Sequence, residues 1–90
     1  MKLALKEKYE RLRELLMEAR QKAGLTQSEV ASELEQPQSF VSKYERGERR
    51  LDVVEFLEVA RIIGLDPIAT IAEIKQTKTS SQSQHIRTRK

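Results

Sequence analysis

Residues Leu25–Gly47 read L-T-Q-S-E-V-A-S-E-L-E-Q-P-Q-S-F-V-S-K-Y-E-R-G, and this stretch decides the fold. It contains two short helical patterns separated by the turn Glu35-Gln36-Pro37, which is the outline of a helix-turn-helix. The first pattern begins with Thr26 and Glu29 at capping-box spacing, because the threonine hydroxyl can accept a bond from a helix-start N–H and the glutamate can bond back. Its predicted inward face consists of Val30, Ala31 and Leu34.

The second pattern begins beside Pro37, whose fixed φ suits the first turn of a helix. Val41 and Tyr44 are predicted core residues, and a buried tyrosine hydroxyl needs a partner at the edge of the core. The predicted outward face is polar and consists of Gln38, Ser39, Ser42, Lys43 and Arg46. Taken alone, such residues are most often simply solvated.

Three further helices follow from apolar spacing and end signals. The first runs from about Glu7 to Ala23 and ends at Gly24. A fourth starts at the capping box Asp52/Glu55 and ends before Gly64; its predicted apolar positions are Val54, Leu57, Val59, Ala60 and Ile63. A fifth starts at Asp66 and Pro67 and presents Ile68, Ile71, Ala72 and Ile74. The prediction is an all-α, compact five-helix domain.

The net charge of +3 is unevenly distributed along the 90 residues. Residues 75–90 contain five basic groups and no acid, whereas residues 1–74 contain 12 basic and 14 acidic groups, a net charge of −2. Residues 77–90 also lack apolar periodicity, so we predict a disordered basic tail there and a single helix-turn-helix domain over 1–76, with the motif at 26–46. Bulk basicity of such a tail supports only non-specific attraction to nucleic acid.

Several function classes are disfavoured by what the sequence lacks. There is no cysteine and only one histidine, His85, so neither a metal site nor a catalytic triad is expected. We expect no enzyme activity and no cofactor. No window reaches membrane-spanning length and the first ten residues do not resemble a signal peptide, so we expect a cytoplasmic protein, bacterial or phage-encoded, without membrane binding.

Residues 12–67 resemble the lambda-repressor and Cro class of helix-turn-helix proteins, the Xre family. The family pattern L-T-Q, two residues, a hydrophobe and Ala matches Leu25–Ala31, and its Q-S-x-hydrophobe-S-K-x-E-x-G matches Gln38–Gly47. Both halves stand at the correct separation. The turn departs from the family pattern, because Glu35 replaces a glycine and Pro37 replaces a serine or threonine cap. Loss of that cap costs about 1 kcal/mol unless the proline compensates, and we expect Glu35 to avoid the left-handed backbone that glycine tolerates.

The resemblance implies a transcriptional regulator, most simply a repressor, whose third helix enters the major groove of double-stranded DNA. The residues that it assigns to bases are Gln38, Ser39, Ser42 and Lys43; those that it assigns to phosphates are Thr26, Gln27, Arg46, Arg49 and Arg50. A glutamine amide can pair with adenine N6 and N7, and a lysine with guanine O6 or N7. Phe40 either packs over the turn or contacts a thymine methyl.

The resemblance also implies an ion pair between Arg20 and Glu45 that joins the first helix to the third. Without it, Glu45 would be an exposed neighbour of Arg46. It further implies a homodimer on a near-palindromic operator. The candidate dimer surface is Ile68, Ile71 and Ile74, with Leu3 and Leu5 as lesser candidates; the isoleucines could instead close the core against the first helix.

One competing hypothesis is an antitoxin-like or regulatory module that holds another protein, with DNA binding secondary or lost. In that case a partner protein would be the contact, whereas a DNA-bound activator would touch RNA polymerase, which fits the sequence as well as a repressor that blocks it. The polar third helix and its arginines favour DNA, because a protein-docking surface is richer in apolar and aromatic residues.

Overall fold

The computed structural model describes residues 3–77, with side chains from residue 5 onward. Within that range the chain forms five helices and no strand: α1 (Leu3–Lys22), α2 (Gln27–Leu34), α3 (Gln38–Arg46), α4 (Val53–Ile63) and α5 (Pro67–Gln76). The all-α, five-helix prediction is therefore correct. The predicted tail, 77–90, lies outside the described residues except for Thr77, and the Leu3 side chain lies outside them too.

The helix ends follow the local chemistry that the sequence predicted. The Thr26 and Asp52 side chains each accept from the backbone N–H three residues on, at 3.0 and 2.7 Å, and Glu29 and Glu55 complete the two capping boxes. Asp66 caps α5 at the N–H groups of its first turn, ahead of Pro67. These bonds satisfy N–H groups that have no partner inside the helix. The three short helices α2, α4 and α5 thus begin at fixed residues.

Helix α1 starts at Leu3, about one turn earlier than predicted. No residue between Leu3 and Glu7 breaks a helix, and further along, α1 contacts α5. The Lys8 ammonium donates to the carbonyl oxygens of Ile74 and Thr77 at 2.9 and 3.3 Å, and Arg11 bonds to Glu73. A cation at a helix C-terminus stabilises it, because the last carbonyls have no helical partner.

The core lies where α1, α2, α3 and α4 meet. Its most buried side chains come one from each of these helices: Leu16, Val30, Val41 and Val59. Ala31, Phe40, Tyr44, Phe56 and Ile63 complete it, while Leu34 of the predicted α2 face is only partly buried. The core fixes α3 with its apolar side inward.

No helix in the described part of the chain is both long and apolar enough to cross a membrane.

The predicted apolar face of α4 is wrong at two positions. Val54 and Leu57 are 71% and 44% exposed, whereas Phe56, which was not assigned to the core, is 8% exposed. The buried stripe is Phe56, Val59, Ala60 and Ile63, at spacings of three and four residues. Eight of the eleven α4 residues are apolar, so more than one helical stripe satisfied the pattern, and packing against the neighbouring helices selected between them.

Candidate nucleic-acid interface

The exposed polar residues of α3 lie on one side of the helix, and its apolar residues lie on the other together with Glu45. Gln38, Ser39 and Lys43 are exposed and Ser42 is partly buried, with its hydroxyl donating to the Ser39 carbonyl oxygen at 3.3 Å. The inward side consists of Phe40, Val41, Tyr44 and Glu45. Since a helix fits the major groove and its N-terminal residues reach the base edges, this is the geometry that base reading needs.

Phe40 is a core residue. It is 9% exposed and its ring meets the Tyr44 ring edge to face, with centroids 5.8 Å apart. The guanidinium of Arg49 lies over the Phe40 ring, 4.4 Å from its centroid. Phe40 therefore packs in the core, and its described ring contacts are with Tyr44 and Arg49.

The turn before α3 has a backbone that was not expected. Glu35 adopts φ 58° and ψ 42°, and it is the one non-glycine residue with positive φ among residues 3–77. The expectation that Glu35 avoids the left-handed region is wrong. Its N–H reaches the carbonyl oxygens of Ala31 and Ser32, so the bonds that close α2 are kept. That conformation costs an L-residue about 1–2 kcal/mol, a cost that glycine does not incur.

Pro37 stands just before α3 as its N-cap, at φ −68° and ψ 156°, rather than inside its first turn. It supplies no side-chain hydrogen bond to the helix start, whereas its carbonyl oxygen accepts from the Phe40 N–H at 2.9 Å. The proline ring holds the backbone in the extended conformation that a cap residue needs. It thus replaces the missing serine or threonine through geometry.

A continuous hydrogen-bonded chain links α1, α3 and α2 to the start of α3. Arg20 of α1 donates from Nε to Glu45 Oε2 at 2.7 Å and from Nη2 to Glu45 Oε1 at 3.1 Å. Gln27 donates from Nε2 to the same Oε1 at 2.9 Å, and Gln38 donates from Nε2 to Gln27 Oε1 at 2.8 Å. We call these four residues the polar chain.

The polar chain runs from the interior to the surface. The Glu45 and Arg20 side chains are 3% and 12% exposed, Gln27 is partly buried and Gln38 is exposed. The hydrogen bond to Glu45 raises the pKa of Arg20, and burial raises the pKa of the neighbouring Tyr44 hydroxyl well above its ordinary value. The predicted Arg20 and Glu45 are therefore brought together, and Glu45 is not an exposed neighbour of Arg46.

The three arginines assigned to phosphates are engaged within the protein. Arg46 pairs with Glu48 at 2.9 Å, with both side chains more than half exposed, and Arg46 lowers the pKa of Glu48. Arg49 pairs with Glu55 at 2.8 Å, and Arg50 lies 4.5 Å over the Tyr9 ring. Any phosphate contact must compete with these partners.

The other predicted phosphate residues, Thr26 and Gln27, lie at the start of α2. The Thr26 hydroxyl is used as the cap acceptor, and one Gln27 N–H is used by Glu45. The sequence reasoning missed Glu48 and the bond between Gln27 and Glu45. Glu48 was detectable as an acid two residues after Arg46, whereas the second bond joins residues 18 apart and needed the fold. No group of His, Asp or Glu in residues 3–77 is arranged to hold a metal ion.

The comparisons with known proteins agree with this geometry. The helix-turn-helix family model matches residues 16–68, more than half of the chain. The chain belongs to the Xre family. The fold is similar to that of an XRE-family like protein from Pseudomonas syringae pv. tomato str. DC3000, with 53% sequence identity and a TM-score of 0.72, covering 76% of this chain and 83% of that one. No curated protein matches the chain at a comparable significance. As an Xre-family protein with a Cro/C1-type motif, the chain is a DNA-binding transcription regulator.

Proposed function

We propose that this Xre-family protein is a sequence-specific repressor that reads the major groove with α3, as a homodimer on a near-palindromic operator. The observation that carries the proposal is the polar chain, because it holds an exposed glutamine at the N-terminal end of α3. A fixed reader loses less side-chain entropy on binding than a mobile one.

Gln38 contacts adenine in this proposal, because its amide can donate to N7 and accept from N6 together. Ser39, Ser42 and Lys43 contact neighbouring bases. Lys43 is exposed one helical turn after Ser39 and suits the acceptors of guanine. These side chains specify sequence, whereas phosphate contacts hold the protein in register.

The phosphate contacts come from Thr26, Gln27 and the arginines at 46, 49 and 50. Gln27 keeps a second N–H after bonding to Glu45, so it can hold a phosphate without releasing the polar chain. Arg46 exchanges Glu48 for a phosphate at little cost, since exposed pairs contribute about 0–1 kcal/mol.

Dimerisation uses the exposed apolar side chains of α5. Ile68 and Ile71 are 73% and 53% exposed, whereas Ile74 is partly buried near the α1 contact and contributes less. Val53 and Val54 of α4, at 72% and 71%, form a second exposed apolar pair. Burial of such side chains between two copies would stabilise a dimer that spans half-sites about 34 Å apart.

Sedimentation equilibrium tests which apolar surface joins the copies. Ile71→Glu should shift the protein to monomer, and Val53→Glu, as the matched variant on α4, should not. Dissociation by Val53→Glu alone would assign the interface to α4. A wild type that is monomeric with and without operator DNA would reject the homodimer.

The function itself is tested by selecting bound sites from random duplex DNA and repeating the binding at several salt concentrations. Gln38→Ala should change the selected sequence. Arg46→Ala should leave the sequence unchanged and make the log–log salt dependence shallower by about 0.9, the value for one phosphate contact. Repression is then tested by placing the selected site over a promoter, where the protein should lower transcription; an increase would indicate activation through contact with RNA polymerase.

A further inference from the structure

The polar chain has a direction that the chemistry of its buried end determines. A carboxylate has acceptors and no donor, so Glu45 can only receive bonds from Arg20 and Gln27. The Gln27 nitrogen therefore faces Glu45, and the Gln27 oxygen faces Gln38. Only the nitrogen of the Gln38 amide can bond to that oxygen.

We infer that Glu45 is a positioning residue for base recognition: it sets which atoms Gln38 presents to DNA and thereby selects adenine over guanine. The inference rests on the proposed function and deepens it. Glu45 is 6% exposed and is two turns from the exposed end of α3, so it acts through Gln27 and does not itself touch a base.

The direction of the polar chain determines which base the Gln38 amide can pair with. With one N–H bonded to Gln27, the Gln38 amide still offers its oxygen and one N–H, an acceptor beside a donor. Adenine presents the complementary pair, the N7 acceptor and the N6 donor, whereas guanine presents two acceptors, N7 and O6. If the chain ran the other way, the Gln38 oxygen would be bonded to Gln27 and two N–H groups would be free, which suits guanine.

Glu45→Gln should reverse the chain with almost no change in shape. Arg20 has donors only, so the oxygen of the new amide keeps the shorter contact, to Arg20 Nε at the Oε2 position. Its nitrogen then takes the Oε1 position, where it faces Gln27 and gives up the longer bond from Arg20 Nη2. Gln27 would then present its oxygen to residue 45 and its nitrogen to Gln38. Gln38 would be left with two outward donors.

The experiment compares matched duplexes that differ at one base pair. The base pair is the one at which Gln38→Ala loses discrimination in the selected site. Wild type should prefer adenine to guanine there by roughly 10-fold, the effect of one bidentate contact. Glu45→Gln should remove that preference or invert it. Val59→Ala, which destabilises the core outside the polar chain, should retain the wild-type ratio.

A second variant keeps the inference testable if Glu45→Gln does not fold. Gln27→Met keeps the bonds between Arg20 and Glu45 and removes the link to Gln38, so the adenine preference should fall to about twofold or less.

The inference is overturned if wild type prefers guanine at that position. It is also overturned if the folded variant at 45, or Gln27→Met, weakens binding to both duplexes equally. A wild type that binds selected and scrambled duplexes alike would instead reject the proposed function.

Discussion

Removal of Arg20 should destabilise the protein far more than removal of an exposed arginine. Arg20→Ala takes two hydrogen bonds from Glu45, at 2.7 and 3.1 Å, and one from the Leu25 carbonyl oxygen, at 2.8 Å. The Glu45 side chain is 3% exposed, so its charge is left buried with Gln27 as its remaining donor among the described contacts.

The expected loss is about 3–5 kcal/mol, the cost of leaving one charge of a buried pair without its partner. A folded unit of residues 3–77 has a total stability of about 4–11 kcal/mol at the usual range per residue. The variant should therefore melt at least about 12 °C below wild type, since 1 kcal/mol corresponds to about 4–8 °C for a domain of this size.

Thermal and urea unfolding at pH 7, followed by circular dichroism, measure this loss. The matched control is Arg61→Ala, which breaks an ion pair of 3.0 Å with Glu58 whose side chains are 63% and 54% exposed. The control should change stability by less than about 0.5 kcal/mol. If Arg20→Ala melted within 2 °C of that control, roughly half a kcal/mol or less, the buried pair would not stabilise the fold.

Three further predictions concern Glu48, Glu35 and Tyr44. Glu48→Gln releases Arg46, so it should tighten DNA binding at low salt and steepen the log–log dependence of the binding constant on salt by up to about 0.9. Glu58→Gln is the charge-matched control, and equal effects of the two variants would indicate bulk charge alone. Glu35→Gly should raise the free energy of unfolding, measured by urea denaturation, by about 0.5–1 kcal/mol, because glycine adopts the observed positive φ without strain. A loss of stability would show that the Glu35 backbone is not strained. Burial raises the pKa of Tyr44, so the folded state holds the hydroxyl proton more firmly than the unfolded state does. The free energy of unfolding should therefore fall as pH rises above about 10. The stability of Tyr44→Phe should fall less over the same range, and parallel curves of stability against pH for the two proteins would contradict this.

The start and end of most helices could be predicted because the signals are local. Thr26 with Glu29, and Asp52 with Glu55, need only a three-residue spacing and a free N–H to form a capping box. The face of α4 could not be predicted from its own sequence. Its apolar residues exceed one stripe, so the burial of Phe56 in place of Leu57 was decided by packing against other helices.

In the candidate site, too, local features could be predicted and contacts between helices could not. The outward position of Gln38 follows from helical periodicity, and the pairing of Arg20 with Glu45 followed from the family resemblance. The bond between Gln27 and Glu45 joins α2 to α3 and depends on how the turn aims the third helix. That turn contains Glu35 in the left-handed region. The general preference of L-residues predicted that Glu35 would avoid this region, whereas the observed conformation keeps the hydrogen bonds that close α2.

The central claim is that the polar face opening at Gln38 recognises a DNA sequence. Fluorescence anisotropy competition at physiological ionic strength tests it most directly, with the selected duplex as probe and selected or scrambled duplexes as competitors. We predict that the scrambled duplex competes at least about 1,000-fold less well against wild type, and that Gln38→Ala narrows this gap by about 10-fold or more. Equal competition by the two duplexes against the wild-type protein would contradict the claim.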